Sequence, residues 1–114
     1  MEESAGRGVL SPDAVSADPS HDSVEFENDV GRVLRITYGP GERSVTHRHP
    51  DNCSITLGPT SWRMTDAEGV SCENSGSLGE VGCGDGDVHL PRNSGSERNE
   101  VVLVEFKGRE TFDQ

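Results

Sequence analysis

Three of the four histidines of this chain fall in two short patches that could supply ligands to one metal ion. His47 and His49 are two residues apart, and in an extended strand such residues project from the same face. His89 lies in the second patch, and imidazole is a common ligand for Zn, Fe, Cu and Ni. By itself the His47/His49 pair is equally typical of a solvent-exposed strand, so a metal site requires the two patches to converge.

The sequence around these histidines is similar to the two motifs of the cupin superfamily. The matching residues are Gly41, His47 and His49 in the first motif and Gly79, His89 and Asn93 in the second. The chain resembles small single-domain cupins over about residues 24 to 107. This resemblance implies a small jelly-roll barrel with a divalent metal ion held inside by His47, His49 and His89. The identity of the ion is left open among Zn, Fe, Mn, Ni and Cu.

One departure from the cupin pattern concerns the fourth ligand. The motif has a glutamate where this chain has Cys53 or Ser54, depending on whether three or four residues intervene. Cys53 is a candidate fourth ligand or pocket residue, since a thiolate would favour a softer ion such as Zn or Cu. The alternatives are that Cys53 is a small buried hydrophobe, that Asp51 supplies a carboxylate instead of lying in a solvated turn, or that water completes the site.

The elements that must position these side chains are predicted to be short strands. In the segment from Gly31 to Tyr38, apolar and polar residues alternate with the period of a half-buried strand. The runs 44–49, 53–57 and 62–64 continue this pattern between Gly/Pro turns, whereas 71–78 is too polar to assign. No segment shows a helical period, so the fold class is all-β, a small jelly-roll or cupin barrel.

The chain length of 114 residues suits one domain with a small core. Residues 1–22 are rich in Ser, Gly, Pro, Asp and Glu without periodicity, which predicts a flexible, disordered N-terminal tail. Residues 23–108 form the predicted cupin domain, and residues 109–114 a C-terminal tail.

Charge and composition narrow the partners and the compartment. A formal net charge of −11 argues against nucleic acid and against an anionic membrane surface. Because no apolar run of signal-peptide or membrane-span length is present, we expect a cytoplasmic protein. In a reducing cytosol the three cysteines, Cys53, Cys72 and Cys83, are expected to be free thiols.

Two classes of function fit these features. The first is a metal-dependent enzyme of the dioxygenase, isomerase or lyase type that acts on an unidentified small molecule. The second is a non-catalytic module that binds or senses a small molecule in the barrel. A homodimer is expected in both cases, since small cupins usually pair and the apolar run Val101 to Val104 requires cover on both faces.

Overall fold

The computed structural model describes residues 11–108, which form nine strands and one short helix. In chain order these elements are α1 (Ala14–Ala17), β1 (Asp22–Glu27), β2 (Gly31–Tyr38), β3 (His47–His49), β4 (Asn52–Thr56), β5 (Thr60–Asp66), β6 (Ser71–Gly76), β7 (Val81–Gly84), β8 (Asp87–Asn93) and β9 (Asn99–Phe106). The predictions for residues 1–10 and for the C-terminal tail 109–114 concern residues outside the described part of the chain.

The strands form two antiparallel sheets that face each other, which confirms the predicted all-β cupin architecture. One sheet has the order β1-β2-β9-β4-β7, and the other has the order β3-β8-β5-β6. Within the described part of the chain, no helix has the length and apolar character needed to cross a membrane.

The core lies between the sheets and consists of side chains that alternate along three strands. These buried residues are Leu34, Ile36, Tyr38, Trp62, Val101 and Leu103. Tyr38 and Trp62 meet edge to face across the two sheets, with ring centroids 5.1 Å apart. The alternation read from the sequence at Gly31–Tyr38 thus gives the buried face of β2.

Strand β9 lies between β2 and β4, where all of its backbone can pair. Its inward residues Val101 and Leu103 are buried, whereas Val102 and Val104 on the other face are half-buried. The opposite sheet therefore covers one face of the apolar run, and the homodimer inferred from it stays a prediction.

Strand β6 was not assigned from the sequence because its residues are polar. It is an edge strand that pairs only with β5, and its side chains are almost all exposed. Backbone hydrogen bonding to β5 therefore forms this strand without an apolar face. In the run 44–49 the structure has less strand than the sequence predicts, since only His47–His49 is a strand.

The prediction that residues 1–22 form a flexible tail is wrong for residues 11–22. Asp13 caps α1, Ala14 is fully buried, and Asp22 already pairs with Ile36 as the first residue of β1. The reason is that this segment is held mainly by polar contacts and by one small apolar residue. A prediction of disorder from low hydrophobicity does not take such contacts into account.

The prediction that all three cysteines are free thiols is also wrong. Cys53 on β4 lies directly opposite Cys83 on β7, and the two form a disulfide. Cys72 is free and exposed. The pairing depends on the register between two strands that are distant in sequence, so cysteine counting could not reveal it.

Replacing Cys53 and Cys83 together with serine is expected to lower the free energy of unfolding by about 3 to 4 kcal/mol, because the bond restricts the unfolded chain across a sequence separation of 30. Urea denaturation of the unreduced protein measures this loss. Cys72→Ser is the control and should unfold like the wild type. Detection of three reactive thiols in denatured, unreduced protein would contradict the pairing.

Candidate metal centre

The pairing of β3 with β8 brings the three predicted histidines together. His47 lies directly opposite His89 in the antiparallel register, and His49 lies two residues further along β3. Opposed residues in such a ladder project from the same face of the sheet. All three imidazoles therefore point into the space between the two sheets.

The three rings form a compact cluster. One nitrogen from each of His47, His49 and His89 lies within 4.8 Å of the other two, so the cluster could hold a metal ion. The ring centroids are separated by 5.0 Å, 5.0 Å and 5.3 Å, with the rings nearly perpendicular in every pair. The rings therefore meet edge to face and do not stack.

Two of the ring nitrogens have no partner of their own. The Nε2 atoms of His47 and His89 are buried without a hydrogen bond to any described residue. Burial lowers the pKa of His47 to about 4, and the neighbouring histidines add to this effect. Burial also lowers the pKa of His89 to about 4, against the opposing charge of Asp87. Both rings are thus neutral at pH 7, and neutral imidazole is the form that binds metal. A divalent ion therefore fits this set of donor atoms.

A buried carboxylate orients His49. The Nδ1 atom of His49 lies 2.6 Å from Oε2 of Glu105, which is 2% exposed. Arg32 holds the other oxygen of Glu105 at 2.7 Å and also bonds Asp13 at 2.9 Å. With Nδ1–H donating to Glu105, Nε2 of His49 carries the lone pair that faces the cluster. A carboxylate behind a ligand histidine is the usual device for setting its tautomer.

A second polar chain supports His47. Nδ1 of His47 lies 3.2 Å from the Ser44 hydroxyl, which in turn donates to Asp18. Asp18 also bonds Nδ1 of His21 at 2.6 Å. Burial raises the pKa of Asp18, but the hydrogen bonds from Ser44 and His21 outweigh it and hold the pKa below its usual value. The segment before β1 therefore contributes to positioning a candidate ligand.

Neither proposed substitute for the motif glutamate reaches the cluster. Cys53 is held in the disulfide, whereas its neighbours Asn52 and Ser54 line the cavity that contains the histidines. The chain passes from the sheet of β3 to the sheet of β4 at Pro50 and Asp51, so the alternation that puts His47 and His49 in the cavity does not continue to Cys53. Asp51 is buried and accepts a hydrogen bond from the backbone of Gly86, so it is neither a solvated turn residue nor part of the cluster.

The histidines open onto a cavity of about 570 Å³ between the sheets. Its apolar walls come from Ile36, Tyr38, Trp62, Met64, Val101 and Leu103. Polar residues of β4 and β6 line other parts of the wall. A cavity of this size and mixed lining is typical of sites that enclose a small molecule.

Sequence reasoning missed the buried carboxylate that lies beside the histidines in this cavity. Asp22 is 1% exposed, lines the cavity, and places Oδ2 3.8 Å from Nε2 of His49. Burial raises the pKa of Asp22 to about 6. Its position in the predicted tail concealed it, and no motif or spacing in the sequence links it to the histidines.

Comparison with known proteins supports the fold and gives no activity. No family model and no curated protein matches the chain. A cupin domain from Bordetella pertussis Tohama I is 21% identical, with a TM-score of 0.71 over 86% of this chain and 97% of that one. An uncharacterized conserved protein with a double-stranded β-helix domain from Klebsiella pneumoniae is 23% identical, with a TM-score of 0.62 and coverage of 78% and 77%.

A cupin 2 conserved barrel domain protein from Salinispora arenicola is similar in the same way. It is 13% identical, with a TM-score of 0.58 over 80% of this chain and 78% of that one. At these identities the likeness concerns the backbone fold. The side chains of the cluster must therefore carry any statement about chemistry.

Proposed function

We propose that this chain, which has the cupin fold, binds a divalent metal ion through His47, His49 and His89 and presents it to a small molecule in the adjoining cavity. The observation that carries this proposal is the convergence of three imidazoles, two of which, His47 and His89, have buried Nε2 atoms without a hydrogen-bond partner. Unpartnered buried polar atoms are costly, and an ion would satisfy them together.

The number of histidine ligands supports a metal site that is open to a further ligand. Three protein ligands leave further coordination positions, which is typical of catalytic and binding sites and not of closed structural ones. When bound, the ion would supply a Lewis acid that polarises an oxygen of water or of the substrate. The chain's own contribution is to orient His49 through Glu105, to orient His47 through Ser44, and to exclude bulk water with the apolar wall.

We extend the proposal to a metal-dependent enzyme of the dioxygenase, isomerase or lyase type. Neither Cys53 nor Tyr38 serves as a general base here. Cys53 is in a disulfide, and burial raises the pKa of Tyr38 well above its usual value, so its phenol stays protonated at neutral pH. Tyr38 lines the cavity, where its phenol can donate a hydrogen bond to the bound molecule.

The proposed metal binding is tested by calorimetric titration of chelator-treated protein with Zn²⁺, Mn²⁺, Fe²⁺, Ni²⁺ and Cu²⁺ in turn. We expect about one ion per chain for at least one metal, because three positioned ligands suffice to compete with water. At a hundredfold excess over the dissociation constant, the ion should stabilise the fold by about 2.7 kcal/mol. This gain corresponds to a melting temperature roughly 10 to 20 °C higher for a domain of this size.

Removal of the ion provides the control for the same experiment. Addition of EDTA should return the melting temperature to that of the metal-free protein. If none of the five metals binds or raises the melting temperature, the proposed function is wrong. Turnover separates an enzyme from a binding module, since an enzyme converts its ligand or consumes O₂ with it and a binding module releases the ligand unchanged.

A further inference from the structure

Asp22 is a buried carboxylate without a partner. It begins β1 next to His21, whose backbone carbonyl accepts a hydrogen bond from Thr37, and it is 1% exposed. Neither of its carboxylate oxygens has a hydrogen-bond partner among the described residues. Burial of a carboxylate is unfavourable unless another charge or several hydrogen bonds compensate for it. The position of Asp22 therefore indicates a cationic partner.

The place where that partner would lie is the histidine cluster. Oδ2 of Asp22 lies 3.8 Å from Nε2 of His49, and Asp22 lines the same cavity as His47 and His89. Two atoms that bind one ion at about 2.0 to 2.2 Å lie roughly 3 to 4 Å apart, depending on the angle at the metal. The spacing between Asp22 and His49 thus suits two ligands of one ion. Because Asp22 lies outside the set of donor atoms that are all within 4.8 Å of one another, its carboxylate must turn towards His47 and His89 to share that ion.

A direct hydrogen bond explains this spacing less well. An N–H···O hydrogen bond spans about 2.7 to 3.2 Å, which is shorter than the 3.8 Å between Nε2 of His49 and Oδ2 of Asp22. In the neutral ring of His49, Nδ1–H donates to Glu105 at 2.6 Å and Nε2 keeps a lone pair that faces the Asp22 carboxylate. Two electron-rich atoms held in this way are stabilised by a cation that both can bind.

We infer that Asp22 is the fourth protein ligand of the metal ion, alongside His47, His49 and His89. This inference rests on the proposed metal site and deepens it. The carboxylate comes from the N-terminal strand of the barrel, whereas the positions aligned with the motif glutamate hold Cys53 and Ser54. A set of three imidazoles and one carboxylate suits Zn, Fe, Mn or Ni without a thiolate.

The test compares Co²⁺ binding by the wild type, Asp22→Asn and Asp51→Asn. Asp22→Asn keeps the size of the side chain and removes its charge, so we expect Co²⁺ affinity to fall by at least about 100-fold, more than the loss of an outer hydrogen-bond partner costs. The visible absorption spectrum of bound Co²⁺ should change as well, because one ligand of the ion is different. Asp51→Asn is the matched control, since Asp51 is also buried with one unpartnered oxygen but lies outside the histidine cavity.

A second variant and measurements on the metal-free proteins separate loss of a ligand from loss of folding. Asp22→Ala should lose Co²⁺ affinity at least as strongly as Asp22→Asn, while metal-free Asp22→Asn should melt no lower than metal-free wild type because no buried charge is left unpaired. Wild-type affinity and spectrum in both Asp22 variants, with loss in His49→Ala, would overturn the inference and leave the metal site intact. Failure of the wild type to bind any ion would instead overturn the proposed function.

Discussion

Alanine at any one of His47, His49 and His89 is expected to lower the affinity for the metal ion by at least about 100-fold. Loss of an outer hydrogen-bond partner commonly costs 10-fold to 100-fold, and loss of a direct ligand should cost more. The cluster places one nitrogen of each ring within 4.8 Å of the others, so the three side chains act on a single ion. Elemental analysis after dialysis measures the loss.

The three losses should not add. Once one ligand is missing, the two remaining histidines compete poorly with water for the ion. A double variant should therefore retain no less metal than a single variant. Arg48→Ala is the matched control, because Arg48 lies between His47 and His49 on β3 but its side chain is exposed. Metal content that fell stepwise with each substitution would indicate independent sites and would contradict a shared ion.

Thermal stability should follow the metal in these variants. EDTA should lower the melting temperature of the wild type and leave that of each histidine variant nearly unchanged, since only the folded wild type binds the ion. His47→Ala and His89→Ala each remove a buried Nε2 that has no partner, and His47→Ala also removes the contact of Nδ1 with Ser44 at 3.2 Å, so the metal-free forms should lose little stability. His49→Ala should lose more, because it removes the hydrogen bond to Glu105.

Removal of residues 1–22 is expected to destabilise the barrel by roughly 3 to 5 kcal/mol, in the range seen when a buried polar network is broken. The deletion exposes the surface that Ala14 covers and removes the aspartates that bond Arg32 and Ser44. The melting temperature should fall by about 10 to 20 °C or more. Differential scanning calorimetry of the metal-free protein measures this change without a contribution from metal binding.

The matched control for this deletion begins at Ser11. This variant keeps all the contacts of Asp13, Ala14 and Asp18 described above, so it should melt like the full chain. Asp18→Ala tests the polar contacts alone, because Ser44 and His21 lose their shared partner. Its melting temperature should lie between those of the two deletion variants. A deletion of residues 1–22 that melts like the full chain would show that residues 11–22 are dispensable for the fold.

The histidine site was predictable because its information is local. His47 and His49 share a face through the two-residue period of a strand, and the resemblance to the cupin motifs added His89. The structure confirms that the three side chains meet. Strand β2 and the core residues on it were predictable for the same reason, since alternation between Gly31 and Tyr38 is visible without any tertiary contact.

The positions around the histidines were not predictable in this way. The phase of β4 depends on how the chain crosses from one sheet to the other between His49 and Asn52, and this crossing places Ser54 in the cavity wall while Cys53 pairs with Cys83. The partners of the histidines, Ser44 and Glu105, come from a loop and from the distant strand β9. No spacing rule connects such residues, because their contacts arise only when the sheets pack.

By itself, the sequence determined the all-β class, the alternating core strands and the identity of three candidate ligands, because each depends on periodicity or on a motif within a short segment. The tertiary structure alone decided three other features. It folded residues 11–22 onto the barrel, it paired Cys53 with Cys83, and it brought Asp22 beside His49. The physical reason is that packing joins residues that are distant in the chain, and a buried polar contact leaves no periodic trace in the sequence.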